Sequence, residues 1–102
     1  MQTNPPAQID PNDAVHLRKL HDALRSWGSN IDGTFRFPRC QNIRDDVEVA
    51  ESQVRECWAE LSDKFRLSHP DIVGEWSGFA AGDISGRFEA AIDDLVNRLP
   101  PQ

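Results

Sequence analysis

The sequence predicts an all-α fold, a small antiparallel bundle of three long helices and one short helix. The main observation is that apolar residues recur at steps of three and four over long stretches of the chain. That spacing places side chains on one face of a helix. No stretch alternates apolar and polar residues as a half-buried strand would. Between the first two long helices the prediction places a long non-helical loop.

The longest periodic segment runs from Asn42 to Leu67 and predicts one continuous helix. No Gly or Pro interrupts it, and a helix of this length spans roughly 38 Å at about 1.5 Å per residue. Charged residues occupy the opposite face. The apolar stripe consists of Ile43, Val47, Ala50, Val54, Cys57, Leu61 and Phe65.

The first helix is predicted from Pro11 to Trp27. Asp10 suits the N-cap, proline suits the first helical position, and Gly28 suits the residue that closes a helix. Residues 28–41 then contain turn-forming residues and Pro38, and they predict the non-helical loop.

The short helix is predicted from Pro70 to Ala80, because proline again suits its first turn. Asp83 is the expected cap of the last helix, which is predicted from Ile84 to Leu99 and ends before two prolines. With 102 residues, the chain suits one helical domain over residues 10–100, preceded by a flexible polar tail over residues 1–9.

The charge balance narrows the classes of partner. Seventeen acidic and eleven basic residues give a net charge of -6, which disfavours binding to a nucleic acid and fits a basic protein partner. No stretch is apolar enough for a membrane span, and the N-terminus lacks the features of a signal peptide. We therefore expect a cytoplasmic protein in which Cys40 and Cys57 are free thiols.

No pattern in the sequence indicates catalysis, a metal or another cofactor. His16 and His21 are five residues apart, whereas two zinc ligands on one helix face are four apart. No Gly-x-Ser-x-Gly motif and no phosphate-binding glycine loop is present. We expect a protein that is not an enzyme.

The first candidate binding site is an arginine-rich and aromatic segment. It combines Phe35, Arg36, Phe37, Arg39 and Arg44 within ten residues. Aromatic and arginine side chains dominate binding hot spots, and guanidinium groups grip carboxylates or phosphates. The alternative is that the two phenylalanines plug the end of the bundle while the arginines pair with acidic helix surfaces.

Two further candidates lie on the predicted helices. Trp76 and Phe79 are flanked by glycines, which let another backbone approach closely; the alternative is that both pack in the core. Asp45, Asp46 and Glu48 form an acidic surface that would suit a basic partner.

One segment resembles a known family. Trp76-Ser77-Gly78, followed by Ala80-Ala81 and Arg87-Phe88, is similar to the turn and following helix of the small Trp-x-Gly helical-hairpin proteins exported by type VII systems. The resemblance implies a turn at this motif between two long helices. The motif lies at three-quarters of this chain rather than near the middle, and the chain has no Tyr to form that family's export signal.

The leading hypothesis is a small acidic protein that binds another protein, as an inhibitor or adaptor. Immunity proteins, antitoxins and phage-encoded anti-defence proteins are of this type, and they suggest a bacterial or phage origin. The second hypothesis is a self-associating helical protein of the Trp-x-Gly secreted type, which would form a homodimer. The third is a binder of an anionic ligand that uses Arg36, Arg39 and Arg44.

Overall fold

The computed structural model describes residues 9–99, and over these residues it confirms the all-α prediction. The predicted flexible tail, apart from Ile9, and the prolines after the last helix lie outside the described residues. The helices are α1 (Pro11–Arg36), α2 (Gln41–Ala59), α3 (Asp63–Ser68), α4 (Pro70–Ala80) and α5 (Arg87–Asn97).

The first helix is longer than predicted, and the prediction of a long loop after it is wrong. α1 continues through Gly28 and Gly33 to Arg36, and only residues 37–40 connect it to α2. Each glycine costs about 1 kcal/mol relative to alanine in a helix. Close packing favours glycine at both positions. A Cβ on Gly33 would lie 3.2 Å from Cγ2 of Ile43, and a Cβ on Gly28 would lie 2.6 Å from Oε1 of Glu89.

The predicted helix from Asn42 to Leu67 is also wrong, because it is broken into α2 and α3. Ser62 caps α3, and its Oγ accepts a hydrogen bond from the backbone N–H of Phe65 at 3.1 Å. The carboxylate of Asp13 in turn accepts from the Ser62 backbone N–H at 2.9 Å and from its Oγ at 2.6 Å. Asp13 is only 4% exposed, so a buried side chain of α1 fixes the position of the break.

The short helix α4 has the predicted bounds, whereas α5 begins three residues later than predicted. Asp83 does not cap a helix, because its carboxylate accepts from the backbone N–H of Ser85 at 2.8 Å. Gly86 stands at the N-cap with φ of 87°, a left-handed conformation that favours glycine. As a result Ile84 lies in the connection and is half exposed.

The helices form two layers. α1 and α2 make an antiparallel hairpin, which is the first layer. α4 and α5 pack against each other as the second layer, and α5 packs on α1 and so joins the two layers. The side chains of His21 and Asp93 meet at 2.8 Å, and Glu89 lies beside Gly28, so α5 runs antiparallel to α1. The molecule is elongated, with extents of 59 × 27 × 19 Å.

Aromatic rings fill the space between the layers. Trp58 stacks on Trp76 with ring centroids 5.0 Å apart, and Trp27 meets Phe79 edge-on at 5.0 Å. Phe88 of α5 contacts three of these rings. Such aromatic pairs contribute about 0.5–1.5 kcal/mol each beyond the area that they bury.

The bond between Asp13 and Ser62 predicts a specific loss of stability. Asp13→Ala should lower the free energy of unfolding by about 2–3 kcal/mol, because it removes two hydrogen bonds to a charged acceptor. Ser62→Ala should cost about 1 kcal/mol as the loss of a cap. Urea denaturation of both variants and of the double variant measures the coupling. The control is Asp22→Ala, an exposed position of the same helix, and additive effects of the two changes would contradict the contact.

The glycines of the helices give a second prediction. Gly74 faces open space, so Gly74→Ala should raise the free energy of unfolding by about 0.5–1 kcal/mol. Gly28→Ala should give a smaller gain, because the Glu89 carboxylate must first rotate away from the new methyl group. In a Glu89→Ala background the full gain should return. Thermal melts of these variants check the packing of α1 on α5, and an equal gain at both glycines in the wild-type background would argue against it.

Candidate functional site

The end of the α1–α2 hairpin projects beyond the core, and we call residues 31–49 the hairpin tip. Within α1 the last buried residue is Trp27, and within α2 the first is Ala50. Between them, Ile31 and Val47 are only partly buried against the core. The tip is therefore a two-helix arm that the second layer does not cover.

Two phenylalanines stand on this arm. Phe35 is 68% exposed and Phe37 is 61% exposed. The alternative in which both plug the end of the bundle is therefore wrong. Phe35 lies in the last turn of α1, whereas Phe37 follows the helix and begins the connection to α2.

The three arginines of the tip do not converge on one point. Arg36 forms an ion pair with Asp32 one turn earlier, at 3.2 Å. Arg44 donates a hydrogen bond to the backbone oxygen of Pro38 and so ties α2 to the connection. Arg39 is exposed and forms no ion pair within residues 9–99. The alternative in which the arginines pair with acidic residues of the helices is thus observed for Arg36.

The predicted acidic residues lie at the same end of the molecule. Asp45, Asp46 and Glu48 are exposed on the second turn of α2. Asp45 also accepts a hydrogen bond from Nε2 of Gln41 at 3.0 Å. The structure therefore brings the predicted arginine, phenylalanine and acidic residues together at the hairpin tip.

Trp76 and Phe79 are separate from this site. Phe79 is 6% exposed and belongs to the core, and Trp76 is half-buried in the aromatic cluster. For these two residues the alternative of core packing is the one observed. The motif Trp76-Ser77-Gly78 lies inside α4, so the turn implied by the resemblance to Trp-x-Gly proteins is absent at this position.

The sequence did not predict a groove beside the tip, where α1 and α2 meet the α4–α5 connection. Its free volume is about 240 Å³. Its apolar walls include Trp27, Ile31 and Ile84, and its polar rim includes Asp83. The hydrogen bond from the Ser85 backbone N–H holds the pKa of Asp83 below its usual value, so this rim carries a carboxylate at neutral pH. No sequence signal indicated this groove, because Ile84 was predicted to begin the last helix.

Other groups suited to catalysis or metal binding are dispersed. In the described part of the chain, no group of three or more His, Cys, Asp or Glu side chains is placed to hold a metal ion. His21 and Asp93 form a close pair, but it joins α1 to α5. Cys40 and Cys57 are free thiols, as predicted, and burial raises the pKa of Cys57.

The chain matches no family model, no curated protein and no solved structure. Between residues 9 and 99 there is also no helix with the length and apolar character that crossing a membrane requires. The geometry of the hairpin tip and of the neighbouring groove is therefore the basis for a functional proposal.

The two thiols should differ in reactivity. Because the thiolate is the nucleophile, the raised pKa of Cys57 should make it react more slowly with iodoacetamide than Cys40 at pH 8. Mass spectrometry of the Cys40→Ser and Cys57→Ser variants measures each rate separately. In 6 M guanidinium the two rates should become similar; faster reaction of Cys57 in the folded protein would contradict the burial of its thiol.

Proposed function

We propose that this protein is a small acidic binding protein without catalytic activity, which contacts another protein through the hairpin tip. The observation that carries the proposal is the exposure of Phe35 and Phe37, 68% and 61%, on an arm that projects beyond the core. Aromatic side chains are prominent among the residues that dominate the free energy of protein–protein binding.

The shape of the tip favours a macromolecular partner over a small ligand. Small-molecule sites are concave and enclose most of the ligand, whereas the tip is a projecting pair of helix ends. A typical protein–protein interface covers about 800 Å² on each partner. A projecting arm reaches that area by inserting into a depression on the partner.

The charges favour a partner with a basic surface. The chain carries a net charge of -6, and Asp45, Asp46 and Glu48 are exposed on the same hairpin tip as the two phenylalanines. Complementary charge speeds association more than it strengthens the complex. An inhibitor or adaptor of the immunity, antitoxin or anti-defence type combines these properties, since such a protein acts by occupying a surface of its target.

The anionic-ligand hypothesis has less support. Of its three arginines, Arg36 is paired with Asp32, and Arg44 is bonded to the backbone of Pro38. A ligand carboxylate or phosphate would have to compete with both contacts. None of these three arginines lines the groove.

Site-specific photocrosslinking in the source cells tests the proposal. A benzoylphenylalanine residue at position 37 should give a discrete adduct with one other protein, identified by mass spectrometry. The matched control carries the same group at position 67, where Leu67 is 83% exposed on α3.

The adduct from position 37 should weaken when Asp45, Asp46 and Glu48 are replaced together by neutral residues, because the encounter then loses its electrostatic attraction. An identical set of adducts from positions 37 and 67, or no adduct with another protein, would contradict the proposal.

A further inference from the structure

The groove beside the hairpin tip combines apolar walls with a charged rim. Its volume of about 240 Å³ lies below the roughly 300–1,000 Å³ of typical small-molecule sites. It therefore suits one inserted side chain of a protein. Ile31 of α1 and Ile84 of the α4–α5 connection line it from two elements. Because Ile84 is half exposed, an occupant gains apolar contact there.

Asp83 on the rim is a carboxylate that can accept further hydrogen bonds. It is exposed, and it accepts from the backbone N–H of Ser85 at 2.8 Å. The positive charge of Arg87 acts on it, but within residues 9–99 Asp83 forms no ion pair. An ionised carboxylate offers about four acceptor positions, so Asp83 retains capacity for a cationic donor.

The other two charged residues that line the groove neutralise each other. Arg55 donates from Nε and from Nη2 to the same Oε1 of Glu51, at 3.3 and 3.0 Å. Its guanidinium carbon also lies 6.0 Å from the centre of the Trp76 ring. Arg55 is thus held by contacts within the chain, and Asp83 supplies the excess negative charge of the groove.

The carboxyl-terminal end of α4 adds a second negative feature. Ala80, the last residue of α4, and Ala81 and Gly82 after it line the groove. The negative end of a helix dipole attracts cations, and the last turn of α4 contains no basic residue. Among residues 9–99, no backbone N–H donates to the carbonyl oxygen of Ala80 or Ala81. Two independent features therefore favour a cation at the same place.

A lysine or arginine side chain matches this combination of walls and rim. Both side chains bury an apolar stem while the charged head stays at the surface. The stem would pack on Ile31 and Ile84, and the head would meet Asp83 and the end of α4. A wholly apolar side chain would desolvate the carboxylate without giving it a partner, and an acidic side chain would be repelled by it.

We propose that the groove binds a lysine or arginine side chain of the partner protein, and that the Asp83 carboxylate accepts hydrogen bonds from its charged head. This inference rests on the proposed function, since it specifies how the basic surface of that partner is recognised. Ile31 belongs both to the hairpin tip and to the groove wall, so one partner can contact both.

A peptide titration of the purified full chain tests the groove without the partner. The probes are the acetylated and amidated tripeptides Gly-Arg-Gly and Gly-Lys-Gly. Gly-citrulline-Gly is the control, because it keeps the shape of the arginine peptide without its charge. In proton–nitrogen NMR spectra with millimolar peptide, the amide signals of Gly82 and Ile84 should shift with at least one basic peptide and not with the citrulline peptide.

Two variants test the two halves of the groove. Asp83→Asn should weaken binding of the basic peptide by about tenfold, as for the loss of one hydrogen-bonded charge. Ile84→Ser should weaken it through the loss of the apolar wall. The matched control Asp22→Asn, at an exposed position of α1, should bind as the wild type does. Circular dichroism of each variant verifies that it is folded.

Three results of the titration would overturn the proposal: equal binding of the citrulline and basic peptides, unchanged binding by Asp83→Asn, or signal shifts confined to other acidic surfaces. Absence of shifts with both basic peptides would overturn it as well.

Photocrosslinking from position 37 then separates this inference from the proposed function. The adduct should weaken in an Asp83→Arg background, because the new charge repels the basic side chain of the partner. A wild-type adduct that Asp83→Arg leaves unchanged would overturn the groove inference and leave the proposed function standing. Absence of any adduct in the wild type would contradict the proposed function, and the peptide titration would still decide whether the groove binds a basic side chain.

Discussion

The architecture depends on a buried carboxylate that ends one helix and starts the next. Asp13 in the first turn of α1 accepts two hydrogen bonds from Ser62, and Ser62 in turn caps α3. A buried carboxylate is stable only when such bonds replace its hydration, and bonds to a charged acceptor are stronger than neutral ones. The contact joins residues 49 positions apart and interrupts a segment that would otherwise continue as helix. Its position determines where the chain turns away from α2 to begin the second layer.

The length of that second layer decides how much of the hairpin is left uncovered. α4 has 11 residues and α5 has 11, whereas α1 has 26 and α2 has 19. Two short helices cannot cover two long ones, so the excess of α1 and α2 becomes the hairpin tip. The same mismatch leaves the groove where the α4–α5 connection ends against α1. The projecting tip and the groove therefore have one structural cause.

The sequence predicted the parts of the fold that periodicity determines. The apolar stripes and both ends of α4 follow from spacing and from Pro70. The break at Ser62 could not be predicted, because Leu61 and Phe65 continue the stripe by four residues and the bond that ends α2 comes from distant Asp13. Gly28 and Gly33 indicated a loop, since their cost in a helix is local, whereas the close contacts that offset it are tertiary. For the segment from Phe35 to Arg44, and for Trp76 and Phe79, the sequence left both a surface and a core position open, because spacing alone does not distinguish an inner face from an outer one.

The hairpin tip also differs from the rest of the molecule in how it is held. Its helix ends share the partly buried Ile31 and Val47, the contact of Gly33 with Ile43 and the bond from Arg44 to the connection. Such short two-helix segments have little stability of their own, since most helix stability in proteins comes from tertiary packing. Regions with few buried apolar contacts open locally at lower free energy than the core. A protein bound on either side of the tip would add the packing that the second layer does not supply, and would stabilise the ends of α1 and α2 together.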